Sequence, residues 1–335
     1  MRQLRSLGGD STFKRLLLVT ALVPLASVCL LAQPPDSLVA SGYLLPTGAT
    51  VAPGQVLRLF VQEVGATLTS PVFATSLPLP TTLADISISV QGLPVPIFAV
   101  VPFSSCTGTV FVTDLFLLQH SHPCRSFVAI TVQIPFEIPV SGAPANAAVS
   151  VDVIISEGGV AKVAVAMNTL NDQIHVITAC DNGQGLARST AALANAPCGG
   201  LAFHSDGTPA VNSQGFVRPA EPGEQLVMYA LGLGPTTPPA QTGQPSPSSA
   251  MVPVQIGFDF SPNAPPKYPL YQTQHPNLVF AGLTPGSVGL YQINFTVPQP
   301  PPGTPSCPSN GGVSNLTVSI GILSFDGAAL CVAVK

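Results

Sequence analysis

His120-Ser121-His122-Pro123-Cys124 is the densest group of metal-ligating side chains in the chain. On a strand, residues 120, 122 and 124 share one face. Imidazole and thiolate together suit zinc or copper. A fourth ligand is not visible in the sequence, and a disulfide at Cys124 would take away its thiolate. Cys106 lies upstream, with Phe111 to Leu118 between. A disulfide-closed hairpin therefore accounts for the same residues. No metal site is assigned, and His120 and His122 stand only as candidates.

Other reactive groups are more scattered. Asp181-Asn182-Gly183-Gln184-Gly185 has the flavour of a calcium loop but lacks the downstream bidentate Glu. Asn-Gly and Gly are also ordinary turn residues. His204-Ser205-Asp206 has the residue types of a hydrolytic triad, yet chain neighbours on a strand or turn do not converge on one another. There is no Gly-x-Ser-x-Gly elbow, no His-Glu-x-x-His and no phosphate loop. The acids stand singly, mostly near turns, so paired carboxylates for glycoside hydrolysis are not evident. We expect no catalytic residue, no cofactor and no enzyme activity. A hydrolase with an unrecognised site is the remaining catalytic alternative.

Aromatic platforms for sugars are sparse, with no Trp and five Tyr. Tyr229 and Tyr291 fall in apolar strand patterns and are expected in the core. Tyr268 and Tyr271 lie in the Pro-rich stretch Lys267 to Pro276 and are the candidates for contact with a partner.

The elements that would position these groups read as strands. Of 335 residues, 46% are hydrophobic and only 8% charged, against about 25% charged in average domains. The 30 Gly and 37 Pro point to many tight turns, as in sandwiches and barrels. Val, Ile, Thr and Phe fill the apolar runs, which favours strands. Arg2, Arg5, Lys14 and Arg15 precede an apolar run from Leu16 to Ala32. Residues 1–32 thus read as a signal peptide with Gln33 as the first mature residue. Lipid attachment at Cys29 and a retained anchor are the alternatives. No later run reaches the roughly 18 apolar residues of a membrane helix. The leader holds four of the 11 basic residues and one of the 15 acids, so the rest is more acidic than the full chain's −4. With no basic stripe, nucleic acid and anionic membranes are not expected partners.

Six cysteines follow the leader: Cys106, Cys124, Cys180, Cys198, Cys307 and Cys331. An even count in an exported chain suggests disulfides. Many connectivities are open. Sequential pairing, Cys106–Cys124, Cys180–Cys198 and Cys307–Cys331, closes one local loop each and is the expected arrangement.

The chain also repeats itself. Pro53-Gly54 followed by Leu57, Leu59 and Val61 returns as Pro222-Gly223 followed by Leu226, Met228 and Ala230. Ile86, Ile88 and Val90 alternate with serines; Val254, Ile256, Phe258 and Phe260 are their counterparts. Val128 to Ile134 ending at Pro135 matches Tyr291 to Val297 ending at Pro298. Val149 to Ile155 matches Leu316 to Ile322, with hairpin turns expected at Glu157-Gly158-Gly159 and Asp326-Gly327 and last strands at Val160 to Ala166 and Ala329 to Val334. Period-two alternation is the mark of half-buried antiparallel strands. The expected organisation is two tandem immunoglobulin-like β-sandwich domains, 33–167 and 201–335, joined by a linker, 168–200. Pro235 to Pro253 and Ser261 to Asn277 read as long insertions in the second copy.

The second copy resembles the Solibacter-type uncharacterised C-terminal domain of secreted acidobacterial proteins. The resemblance rests on Asp206-Gly207-Thr208, Pro219-Ala220-Glu221-Pro222-Gly223, Tyr229 to Pro235, and Ala281-Gly282-Leu283-Thr284-Pro285-Gly286-Ser287-Val288-Gly289-Leu290-Tyr291-Gln292-Ile293-Asn294. Leu77 to Leu83 and Ile134-Pro135 extend it into the first copy. Phe203-His204-Ser205 stands where the family usually has an Asn, and the joining segment 168–178 is a looser match. Each copy is also similar to immunoglobulin-like domains of the IPT/TIG class. The resemblance implies fold and export and brings no catalytic residues. The expectation is a non-catalytic secreted or cell-surface protein with a structural or protein-interaction role. A carbohydrate- or matrix-binding adhesin using the 261–277 loop is the alternative. The partner, a protein or glycan at the cell surface, is unknown.

Overall fold

The chain is described by a computed structural model over residues 38–42, 50–62, 64–103, 109–113, 119–123, 127–140, 149–178, 181, 199–212, 215–247, 250–269, 275–307 and 313–334. Among these residues there are 23 strands and no helix, so the protein is all-β. The expected leader, residues 1–32, lies outside the described residues.

Strands are numbered in chain order. The first sheet runs β10 (Gln119–Pro123), β9 (Thr109–Thr113), β1 (Leu38–Gly42), β3 (Val56–Gln62), β11 (Phe127–Gln133), β8 (Ile97–Phe103) and β4 (Val72–Phe73). A second runs β2 (Thr50–Val51), β13 (Val160–Thr169), β12 (Val149–Glu157), β6 (Ile86–Val90) and β5 (Thr82–Leu83), with β7 (Leu93–Pro94) also on β6. Alternation sends Leu57, Leu59, Val128, Ile130 and Val132 from one sheet, and Ile86, Ile88, Val151, Val153 and Ile155 from the other, into one buried cluster. That is how two facing sheets make a core.

The later half repeats the plan. One sheet runs β14 (His175–Val176), β18 (Gln225–Leu231), β21 (Tyr291–Thr296) and β20 (Leu278–Leu283), with β15 (Ala202–His204) also on β18. The other is β19 (Gln255–Asp259), β22 (Leu316–Gly321) and β23 (Phe325–Leu330). A short ribbon, β16 (Val211–Asn212) and β17 (Gly215–Phe216), stands beside them. Leu226, Met228, Ile293, Phe295, Val318 and Ile320 share a second buried cluster. Ile174 and Val176, from the segment read as linker, belong to this cluster.

The repeat extends to single hydrogen bonds. Gly54 N donates to Ile134 O and Gly223 N to Val297 O, at 3.0 and 2.8 Å. Ile134 N returns to Gln55 O and Val297 N to Glu224 O, both at 2.8 Å. Gly54 and Gly223 both sit at positive φ, 69° and 87°, where glycine carries no steric penalty.

Several expectations need correction. Gly158 and Gly159 do make a tight hairpin turn, both at positive φ. Asp326-Gly327 does not: both residues lie inside β23, and the chain reverses at Ile322-Leu323-Ser324. Gly327 is there for clearance, since a Cβ on it would stand 2.1 Å from Val318 O. The last strands accordingly span Val160–Thr169 and Phe325–Leu330. Tyr291 is buried and its hydroxyl donates to Gly234 O. Tyr229 is not in the core. The alternation that turns Met228 and Ala230 inward puts it on the outer face, edge-on to Phe203. Phe258 and Phe260 are only half-buried against the cluster.

Residues Pro34–Lys335 form one compact unit, because each half straps the other. From the long loop of the second half, Gly243 N donates to Gln133 Oε1 at 2.7 Å, and Gly243 O accepts from Leu79 N at 2.9 Å. Thr242 Oγ1 donates to Glu137 and accepts from Phe136 N. In the other direction, Asp172 is buried and accepts from Leu323 N, Ser324 N and Ser324 Oγ. Desolvation by burial raises its pKa; the hydrogen bonds from Ser324 and Leu323 oppose that rise.

Candidate functional site

The outer face of the β19–β22 pair is where Tyr268, one of the two sequence-predicted contact residues, lies. Gly257 sits opposite Ser319 and Asp259 opposite Thr317. Alternation turns these four away from the core. Residues 261–269 then fold back over them. Thr317 Oγ1 donates to Ala264 O at 2.6 Å, and Ser319 Oγ accepts from Lys267 N at 3.1 Å. Pro269 rests on two glycines: a Cβ at Gly321 would be 2.8 Å from Pro269 Cδ, and one at Gly257 3.1 Å from its Cβ. The loop fits because the sheet has no side chains at those two points. β22 is buried on both faces as a result.

Tyr268 is 37% exposed. Its hydroxyl donates to Ile322 O at 2.5 Å, and its ring stands edge-on to Phe325. The hydroxyl is thus engaged, while part of the residue stays open to solvent. Beside it lies a pocket of about 330 Å³ walled by Phe258, Asp259, Lys267, Tyr268, His275 and Ser319. Asp259 accepts from Lys267 Nζ at 2.6 Å and from Ser261 N at 2.9 Å. The lysine bond first, then the backbone bond, holds its carboxyl at about 2. His275 Nδ1 accepts from Asn277 N at 3.2 Å, and its ring packs against Phe258. Burial lowers its pKa, so near neutral pH the ring is uncharged with its proton on Nε2. The pocket therefore offers a fixed ion pair, a hydrogen-bond donor and aromatic surface. That chemistry suits binding a neutral polar ligand.

The remaining candidates are dispersed. His120 and His122 lie on the edge strand β10, opposite Val112 and Val110. Their side chains, with Cys106, Cys124, Cys180, Cys198 and Tyr271, lie outside the described residues. Cys307 and Cys331 form a disulfide. Among the described residues no three His, Cys, Asp or Glu gather as a metal site. Asp181 Oδ2 accepts from Thr178 N, Thr178 Oγ1 and His175 Nε2. Burial opposes ionisation there, yet those bonds win and its pKa is lowered.

His204, Ser205 and Asp206 do not converge. His204 is 2% exposed and turns away to Glu224, with Nδ1 to Oε1 at 2.6 Å. Its Nε2 faces Arg218 O at 3.3 Å. A carbonyl only accepts, so Nε2 carries a proton. Asp206 instead accepts from Thr208 and Arg218. The Thr208 bonds, then Arg218, hold its carboxyl far below the usual range. Sequence reading missed the Glu224 partner, which lies 20 residues away. It also missed the inter-half seam, where Val56, Leu79, Phe98, Leu231, Val288 and Leu290 line an open groove of about 710 Å³. No protein-family model matches the chain, and no curated protein matches it.

Proposed function

We propose that the protein is a non-catalytic, exported β-sandwich protein with a structural or protein-interaction role at the cell surface. We read its halves as two immunoglobulin-like domains of a duplicated chain related to the Solibacter-type family. One observation carries the functional reading. The described side chains with the best chemical potential act as staples: His204 joins Glu224, Asp172 binds a hairpin, and Asp181 closes its own turn. Groups fixed this way hold loops and are not poised against a substrate. The Cys307–Cys331 bond suits an oxidising compartment, which supports export.

The pocket at Asp259, Lys267, Tyr268 and His275 favours a second reading, a glycan- or matrix-binding adhesin. A glycan array probed with residues 33–335 separates the two. The structural reading expects no selective retention. Retention of one glycan class that disappears in Tyr268→Ala would replace it with the adhesin.

A further inference from the structure

β6 and β19 hold the same place in the two halves. Each flanks the hairpin of its sheet, β6 beside β12 and β19 beside β22. Their far sides differ. In the first half β5 and β7 both pair antiparallel with β6, and Val95 N donates to Ile88 O at 2.9 Å. In the second half the sheet ends at β19. Among the described residues no backbone bond reaches the far side of Gln255–Asp259. Alternate residues of a strand turn their N–H and C=O to each side, so about four such groups stand there without a ladder partner.

The first half shows what fills such a side. Leu83 of β5 lies opposite Ile86 and Leu93 of β7 opposite Val90, and both leucines pack on the rim of the first core. The covering pieces are thus extended and antiparallel, and each turns a leucine toward the core. At the rim of the second core stand Phe258 and Phe260, only half-buried. The pocket of about 330 Å³ runs along Ile256, Gly257, Phe258 and Asp259 to His275, so the chain itself leaves space beside this strand.

β19 is also unprotected. Exposed edges are ordinarily blunted by proline, by a bulge, by a charge or by brevity. β4 is two residues long behind Pro71, and β7 ends on Pro94. β19 has five residues in unbroken register with β22 and no proline, and its one charge, Asp259, is neutralised by Lys267.

We propose that β19 is the docking edge for an extended segment of a partner protein, which joins the three-stranded sheet as an antiparallel fourth strand. The main chain supplies the attachment and the side chains on either face supply the selection. Residues of the segment that turn toward the core meet Ile256 and Phe258 and must be aliphatic. Those that turn outward meet Gly257 and the closed Asp259–Lys267 pair, and must be small and uncharged. The proposal rests on the protein-interaction role given above and names the kind of partner.

The test uses residues 33–335 and an array of eight-residue synthetic peptides in which leucine, isoleucine or valine alternates with serine, threonine or glycine. Several are expected to bind, whereas composition-matched peptides with the aliphatic residues grouped are not. Binding should slow hydrogen exchange at amides of β19 and leave β6 unchanged, since β5 and β7 already cover it. In the best binder, methylating the backbone nitrogens along one edge should weaken binding by at least about tenfold, and along the other edge by less than about threefold, because only one edge faces β19.

An array without a binder overturns the proposal. So does binding that ignores which edge is methylated, or that leaves the β19 amides unprotected. Concentration-dependent dimers with β19 protected in the absence of peptide would give the edge to a second copy and overturn it too. None of these comparisons needs a variant to fold, and none of the outcomes removes the wider structural role. Selective glycan retention, which would remove it, is read on the glycan array with no peptide present.

Discussion

Gln55 and Glu224 occupy the same turn in the two halves, and they begin identically. Ala52 N donates to Gln55 Oε1 at 2.9 Å, and Glu221 N donates to Glu224 Oε2 at 3.0 Å. They part at the other end of the side chain. The Gln55 amide donates to Gln173, a neutral contact. The second Glu224 oxygen faces His204 and Arg218. A carboxylate in place of the amide keeps the turn and sets a charged oxygen against His204 and Arg218. Burial opposes the Glu224 charge, but the Glu221 bond and His204 prevail and its pKa is lowered. The scaffold tolerates either chemistry, and the acid-sensitive version belongs to one half only.

The largest break in this comparison should come from His204→Ala. It removes a hydrogen bond to the Glu224 carboxylate, leaving Arg218 and Glu221 N beside it, and is expected to cost about 2 kcal/mol, read by urea denaturation. Gln173→Ala removes the neutral counterpart and should cost about 1 kcal/mol. Similar losses from the two substitutions would show that the charge adds nothing to the turn.

The halves also differ on their outer faces. β12 shows Ser150, Asp152 and Ile154 to solvent, whereas its counterpart β22 is dry on both sides under the 261–269 loop. Gly321→Val should collide with Pro269, cost about 1–3 kcal/mol, and open the loop to proteolysis between residues 261 and 269. Thr317→Val leaves Ala264 O without its donor and should cost about 1 kcal/mol. Asp152→Ser, at the exposed counterpart strand, should change stability by less than about 0.5 kcal/mol.

The smallest effect is the most specific. Glu224 has a folded pKa below its unfolded value, so its stabilisation is present above about pH 4.3 and is lost as pH falls through the folded value. Asp172 and Asp326 have raised values, chiefly through desolvation, so acid favours their folded forms and works against that loss. Hydrogen exchange at the amides of β15 should quicken in mild acid in the unmodified chain and less in Glu224→Gln. An unchanged acid response in that variant would place the sensitivity elsewhere.

What could be read from the chain follows from range. The alternation of Leu57, Leu59 and Val61, and the glycines at 54 and 223, are local signals and located both cores. Gly327 misled because its role is tertiary: it makes room for Val318 O, and nothing in the neighbouring residues says so. Pro235 to Pro253 was legible as a loop from composition, but its docking on Gln133 has no local signature. The pocket is the same case. Tyr268 could be picked from the sequence, while Asp259 and His275 became relevant only when the loop folded back on β19.

Gln133 has one more implication. It pairs with Val56 where the second half pairs Thr296 with Gln225, so Thr296 stands in its place. A threonine is too short to receive Gly243 as Gln133 does. The joint between the halves is thus directional. The leading member supplies the socket and the trailing member the plug, and a chain stitched from two trailing members would lack this joint.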